Sequence, residues 1–389
     1  MRLAARRRVD RRKIRSAMRV EAPLPALLSQ AFVAFTIEVD NEAERVVAHM
    51  TTSFGSRGER RSVWLTSLAM WFNCLRGLAD ARELTVAGLQ RQVRMTTNLD
   101  GMRRWGYITI DGVGRVARGT PRPHARPGSV LALTGRGAEA EAIWRPLPAE
   151  VERRWRERFG DGAIDQLRTA LLKVSREIEA PLPDFMPIGR VGGEVAPGAE
   201  PRSRRERDGD VELPLVSLIA RVLIVWTRDH EGEARLPLPV WCNLVRVLDT
   251  DTPVAVRELP GLTGVSKEAL AVLIGRMEKA QCVIVEPRPG GRRGQQVQLT
   301  AERGARARAG GRRRLEETHR LWETRYGVEA VAALRAALEP IVGDGTRSGS
   351  PLFAGLTPPP GGWRSQTRPA QLLPWYPMVS HRGGYPDGS

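Results

Sequence analysis

Three cysteines and five histidines are all that the 389 residues hold, and they lie scattered. Cys74, Cys242 and Cys282 form no CxxC pair. Neither a disulfide framework nor a zinc site is therefore expected, and the reading is a reducing, cytoplasmic compartment. Long apolar runs are also missing: the longest, Pro214 to Trp226, is too short for a bilayer and is interrupted by Arg221. The N-terminus has no apolar core of the kind a signal peptide needs. GxSxG, HExxH and phosphate-loop patterns are absent as well. Gly112-Val113-Gly114-Arg115-Val116-Ala117 imitates a dinucleotide fingerprint, but such a fingerprint must open a helix, and Gly119, Pro121 and Pro123 forbid one. No catalytic residue, cofactor, metal or membrane contact is expected.

What is abundant is positive charge. The net charge is +17, with 41% hydrophobic and 27% charged residues, a soluble globular balance. Residues 1–19 carry nine basic side chains against Asp10 alone, so nearly half of the excess sits in one arm. Arginine far outnumbers lysine, as a GC-rich genome would cause, yet genome bias does not produce cations in excess of anions. The remaining body charge favours a polyanion such as nucleic acid.

The chain repeats itself. Leu24-Pro25 through Glu42-Ala43-Glu44 aligns with Leu213-Pro214 through Glu231-Gly232-Glu233. Trp71-Phe72-Asn73-Cys74-Leu75-Arg76 aligns with Trp241-Cys242-Asn243-Leu244-Val245-Arg246, and Val86 and Leu89 with Val256 and Leu259. Leu133-Thr134 recurs as Leu299-Thr300, Trp155 to Gly160 as Trp322 to Gly327, and Leu167 to Leu171 as Leu334 to Leu338. Six blocks in one order define two homologous units at 24–176 and 211–343. A basic arm over 1–23 precedes them, and a Pro/Gly/charge-rich flexible linker over 177–210 joins them. The tail 344–389, with Thr357-Pro358-Pro359-Pro360-Gly361-Gly362, is expected to be disordered.

Periodicity supplies the architecture. In the second unit Leu215, Leu218, Ile219, Val222 and Trp226 form a helical stripe, and Leu223, Ile224 and Val225 fill its other sides, so this helix must be buried. A second helix covers Pro239 to Leu248. Val254 to Leu259, a turn through Gly261 and Gly264, and Ser266 as N-cap lead to Leu270, Leu273, Ile274 and Met277 at helical spacing. That order predicts a helix-turn-helix. Val283-Ile284-Val285 and Gln296 to Thr300, joined by an Arg/Gly-rich turn, predict a β-hairpin wing. Val331, Leu334, Leu338 and Ile341 close the unit at the same spacings as Ile164, Leu167, Leu171 and Val174. The fold class is mainly α (α+β): two tandem winged helix-turn-helix domains forming an intramolecular pseudo-dimer.

These residues resemble the MarR-type winged-helix regulators over about three quarters of the chain. Met102-Arg103-Arg104-Trp105-Gly106-Tyr107-Ile108 looks like that family's junction between recognition helix and first wing strand. Leu131 to Gly137 and Val297 to Thr300 look like its return strand and following helix start. The resemblance implies interlocked terminal helices and a helix plus a wing offered to DNA; here one chain supplies both units, so a monomer with internal pseudo-two-fold symmetry is expected. The wing Gly290-Gly291-Arg292-Arg293 lacks the family's usual Asp. The first unit has about five fewer residues between Leu89 and Met102, which predicts a distorted recognition helix.

Candidate DNA contacts follow from position. Ser266, Lys267 and Glu268 open the second recognition helix, where Lys suits guanine and Glu cytosine, although Ser266 also suits a plain cap. Thr97 and Asn98, with Arg103 and Arg104 one turn later, hold the matching place in the first unit and read equally well as caps. Arg288, Arg292 and Arg293 in one wing, and Arg115, Arg118, Arg122 and Arg126 in the other, suit phosphate or minor-groove contact. His230, Trp71 and Trp241 read as core, His230 as a hydrogen-bonded one. The expected partner is double-stranded DNA, with a small-molecule effector left open, and the expected role a sequence-specific transcriptional regulator acting as a repressor. The alternatives are a tandem winged-helix replication initiator and a protein-interaction scaffold.

Overall fold

The computed structural model describes residues 21–46, 71–81, 83–94, 99–104, 106–111, 125–183, 201–232, 238–265, 267–289, 294–358, 360 and 371–376. The first half runs α1 (Leu24–Val46), α2 (Phe72–Ala81), β1 (Glu83–Thr85), α3 (Val86–Val93), α4 (Leu99–Arg104), β2 (Ile108–Ile110), β3 (Val130–Leu133), α5 (Gly135–Trp144), α6 (Leu147–Phe159) and α7 (Asp161–Ser175). A short helix, α8 (Arg204–Asp208), lies in the connection. The second half repeats the order: α9 (Leu215–Glu231), α10 (Leu238–Val245), β4 (Val254–Ala255), α11 (Leu259–Thr263), α12 (Lys267–Lys279), β5 (Val283–Pro287), β6 (Gln295–Leu299), α13 (Arg303–Tyr326) and α14 (Val328–Val342). The protein is mainly helical with two small antiparallel sheets, ordered β1-β3-β2 and β4-β6-β5.

Four helices make the centre. α1 packs on α9, α7 on α14, α9 on α7 and α1 on α14, so every contact maps onto itself or its counterpart when the halves are exchanged. This arrangement explains a helix that is apolar all round: every residue of α9 from Leu215 to Thr227 is buried. Ile164, Leu167, Leu171 and Val174 meet Val331, Leu334, Leu338 and Ile341 as the two inner stripes, all fully buried.

The matched positions fall two residues away from the alignment that the sequence suggests for the long helices. The Pro23 carbonyl accepts the Ala26 and Leu27 N–H groups, as the Pro214 carbonyl accepts those of Ser217 and Leu218. Pro23, rather than Pro25, is thus the counterpart of Pro214. The Leu-Pro pair misleads because Pro25 sits inside the first turn, where a missing N–H costs nothing. The same shift sets Glu38 opposite Asp229. Glu38 accepts from Trp155 Nε1 (2.9 Å) and Arg158 (2.7 Å); Asp229 accepts from Trp322 Nε1 (2.8 Å) and Arg325 (2.7 Å).

Each sheet is joined to its next helix by one device. Thr134 Oγ1 accepts the Gly137 N–H, and Thr300 Oγ1 accepts that of Gly304. A Cβ on Gly137 would lie 1.9 Å from the Tyr107 carbonyl oxygen, and one on Gly304 would lie 2.4 Å from that of Cys282. Only glycine lets helix and strand approach so closely.

The halves also differ. After its sheet the first half breaks around Arg145-Pro146 into α5 and α6, whereas α13 runs unbroken for 24 residues. The strands and short helices of the first half belong to the main hydrophobic core through Val86, Leu89, Met102, Ile108 and Leu131. Those of the second half form a cluster of their own, centred on Leu244, Leu259, Leu270, Leu273, Met277 and Val297.

Two expectations for the connecting segments are corrected. The linker is not loose throughout: Ile178, Leu182, Arg202 and Asp210 are buried, and α8 carries a capping box between Ser203 and Glu206. Nor is the tail disordered throughout. Leu352, Phe353 and Leu356 pack into the main core, as do Leu373 and Tyr376. A few well-spaced apolar anchors hold chain whose average composition reads as disorder.

Candidate nucleic-acid interface

α12 is amphipathic. Leu270, Leu273, Ile274 and Met277 are buried, while Lys267, Ala271, Val272, Arg276 and Lys279 are exposed. Val272 is 57% exposed, unusual for a side chain of its type. The exposed face carries Lys267, Arg276 and Lys279 together with the acidic Glu278, and the small or β-branched Ala271 and Val272 lie between. Arg276, Val272 and Ala271 were absent from the residues singled out by position. Their signal was a four-residue spacing: Lys267-Ala271-Gly275-Lys279 and Glu268-Val272-Arg276 are adjacent stripes.

Before α12 the chain turns at Gly264, which has φ +73°, the left-handed conformation that closes α11. Gly261 lies inside α11 and not in the turn, a correction to the expected boundary. After α12, Gln281 adopts φ 58° and the Cys282 N–H returns to the Met277 carbonyl. β5 and β6 then pair from Val283↔Leu299 to Pro287↔Gln295, and the Arg288 N–H donates to the Gly294 carbonyl at 3.1 Å. Arg288 thus stands at the base of the hairpin tip, half-buried. Ser266, Arg292 and Arg293 lie outside the described residues, as does the Glu268 side chain.

In the first half the matching helix is far shorter. α4 has six residues where α12 has thirteen. The turn before it holds Arg94 at φ 55° in the place of Gly264, and Arg94 forms an ion pair with Glu206 from the connecting segment. Glu206 is held down to about pKa 2, first by the Ser203 backbone and hydroxyl and then by Arg94. Arg103 is half-buried and paired with Asp100 at 3.4 Å, and Arg104 is exposed at the end of α4. Arg126 is exposed in a turn closed by Ser129. Thr97, Asn98, Arg115, Arg118 and Arg122 lie outside the described residues. The structure therefore places Lys267 at the start of α12 and Arg288 on the hairpin that follows it, and sets Arg103 and Arg104 on a truncated counterpart. The chain matches no protein-family model, no curated protein and no solved structure.

A cavity of about 340 Å³ opens between α2, the end of α3, the connecting segment and α9. Arg76, Arg94, Arg202 and Arg221 line it, with Asp80 and Asp210. Arg202 and Arg221 share the buried Asp210 carboxylate, which also accepts from Ser175 Oγ at 2.6 Å. Elsewhere, burial pushes the Cys242 thiol up to about 12. His230 is buried against Trp226, the rings 5.3 Å apart and nearly parallel. Its Nδ1 has no hydrogen-bond partner among the described residues, and the ring stacks on Trp226. Trp71 is buried edge-on to Tyr107, and the Trp241 side chain lies outside the description. No group of three His, Cys, Asp or Glu suited to a metal occurs among the described residues, and no described helix is long and apolar enough to cross a membrane.

Proposed function

We propose that the protein is a sequence-specific DNA-binding transcriptional regulator, made of two winged-helix units folded on each other in one chain. The observation that carries this reading is the exposed face of α12, with Lys267, Val272, Arg276 and Lys279, beside the β5–β6 hairpin. The order helix, strand, helix, helix, hairpin, helix occurs twice with the same strand order, and a winged helix has that order. The net charge of +17 supports a polyanionic partner.

In this reading α12 enters the major groove, Arg276 and Lys267 reach guanine edges, and Val272 meets a thymine methyl. Arg288, Arg292 and Arg293 contact phosphates from the hairpin. The truncated α4 reads less, so the operator has one strong half-site and one weak, different one. Repression follows if the site overlaps a promoter, and the 340 Å³ cavity is the place for a small-molecule effector. Selection from random DNA by the full-length protein tests the proposal. A motif with one dominant half should emerge, and Arg276→Ala should relax one position of it at a cost of about 1–3 kcal/mol. Absence of any enriched motif overturns it.

A further inference from the structure

The segment Gln371–Tyr376 touches the turn after α14, the long helix α1, and α10 with the turn before α12. Its Leu373 N–H donates to the Gly345 carbonyl at 3.0 Å, and the Leu373 carbonyl accepts from Gln30 Nε2 of α1 at 3.2 Å. At its other end the Asn243 side chain on α10 grips the Tyr376 backbone twice. Asn243 Nδ2 donates to the Tyr376 carbonyl at 2.7 Å, and Oδ1 accepts its N–H at 3.1 Å. The Arg246 guanidinium lies 4.7 Å above the Trp375 ring. Between these anchors the backbone runs against Gly264, the turn residue before α12. A Cβ there would meet the Leu372 carbonyl oxygen at 2.7 Å.

The first half contains the same connection. Arg221 occupies on α9 the place of Gln30 on α1, and its Nε donates to the Pro183 carbonyl at 3.5 Å. Leu182-Pro183 parallels Leu373-Pro374. Arg94, in the place of Gly264, is held by Glu206 from the same connecting segment. In both halves, chain that follows the last helix ties the other half's long helix to the turn that precedes the reading helix.

We infer that Gln371–Tyr376 is a brace that positions α12 for DNA, with Asn243 and Tyr376 as its principal positioning residues; the DNA arm of the inference rests on the function proposed above. The strands and short helices of the second half, its head, have a separate hydrophobic cluster, so packing within the head does not set its orientation on the core. α10, α13 and the brace do. Without the brace the head keeps its own fold but samples other orientations, and the apparent affinity falls by the fraction of time spent in the competent one.

The test uses a chain ending after Arg368 and, separately, Asn243→Ala in the full-length protein. Two readouts are needed: amide exchange across 265–279 and affinity for the site selected by the unaltered protein. Both variants should exchange faster there while α7 and α14 stay protected, and affinity should fall on the order of ten-fold. The salt slope of Asn243→Ala should not change, because that substitution removes no charge. Unchanged exchange and affinity in both variants overturn the brace. Collapse of α7 and α14 protection in both overturns it too, since the segment would then hold up the whole core and not specifically the orientation of α12. If the unaltered protein selects no DNA, the functional reading fails, while the exchange arm still decides the brace.

Discussion

Asp210→Ala should be among the most damaging single substitutions in the described chain. The Arg202, Arg221 and Asp210 side chains are only 1%, 3% and 1% exposed, and both guanidiniums lean on one carboxylate. The cluster joins α7 through Ser175 to the connecting segment and α9. Breaking a buried ion pair by removing one partner costs about 3–5 kcal/mol. Here the upper part of that range applies, because two cations lose the same anion. Arg202 is already pressed towards its neutral form, first by burial and then by the neighbouring Arg221. At roughly 2.1 cal/mol/K of unfolding entropy per residue, a loss of ~4 kcal/mol lowers the melting temperature by about 5 °C. Urea titration followed by circular dichroism, with a thermal scan in parallel, measures it. The loss should persist between about 50 and 500 mM salt, since buried charges are poorly screened. Adding Arg202→Gln to Asp210→Asn should recover at least about 1 kcal/mol relative to additivity. A loss under ~1 kcal/mol for Asp210→Ala, or one that salt abolishes, refutes the reasoning.

Gly304→Ala should cost about 1–3 kcal/mol by forcing helix and strand apart, and Gly137→Ala no less; urea midpoints check both. His230 is pressed down to about 4 by burial and then by Arg314. The unfolded chain therefore binds the extra proton first, and stability should fall as pH drops from about 6.5 towards 4, by roughly 2–3 kcal/mol. His230→Phe should flatten that slope, and an unchanged slope would assign it to other groups. Arg292→Ala with Arg293→Ala should weaken binding to all DNA and reduce the salt slope by about two units; an unchanged slope leaves both as solvated loop charges. Light scattering at micromolar concentration should return a monomer, and a stable dimer through the repeated helices would refute the internal pairing.

Most of the framework was legible because the chain states it twice. The inner stripes of α7 and α14 share one spacing, and the repeated Leu-Thr pairs, Leu133-Thr134 and Leu299-Thr300, each lead into a helix whose early glycine N–H the threonine hydroxyl accepts. Charge and packing were harder to place. Gln30 and Arg221 look unrelated in sequence, yet each holds a carbonyl of the matching Leu-Pro pair, that of Leu373 in one half and of Pro183 in the other, and only the helix caps reveal the pairing. Leu372, Leu373 and Tyr376 sit in proline-rich surroundings, where three apolar residues leave no period to read. At the candidate interface, reasoning from helix starts favoured Lys267. It missed Arg276 and Val272, because which side of α12 faces outward depends on what packs beneath it.

The unbroken α13 gives the two heads different mechanics. Twenty-four residues make a rod of roughly 36 Å, gripped near one end where Trp322 and Arg325 meet Asp229 and where Arg314 reaches the His230 carbonyl at 2.8 Å. Its far end, at Arg303, carries β6 and with it the head. From Arg314 outward the free arm is roughly 16 Å long, so a tilt of about 5° at the grip moves the head by more than an ångström. On that geometry α10 and the brace are what oppose the lever, and the first half, broken at Pro146 and packed into the main core, has no such rod.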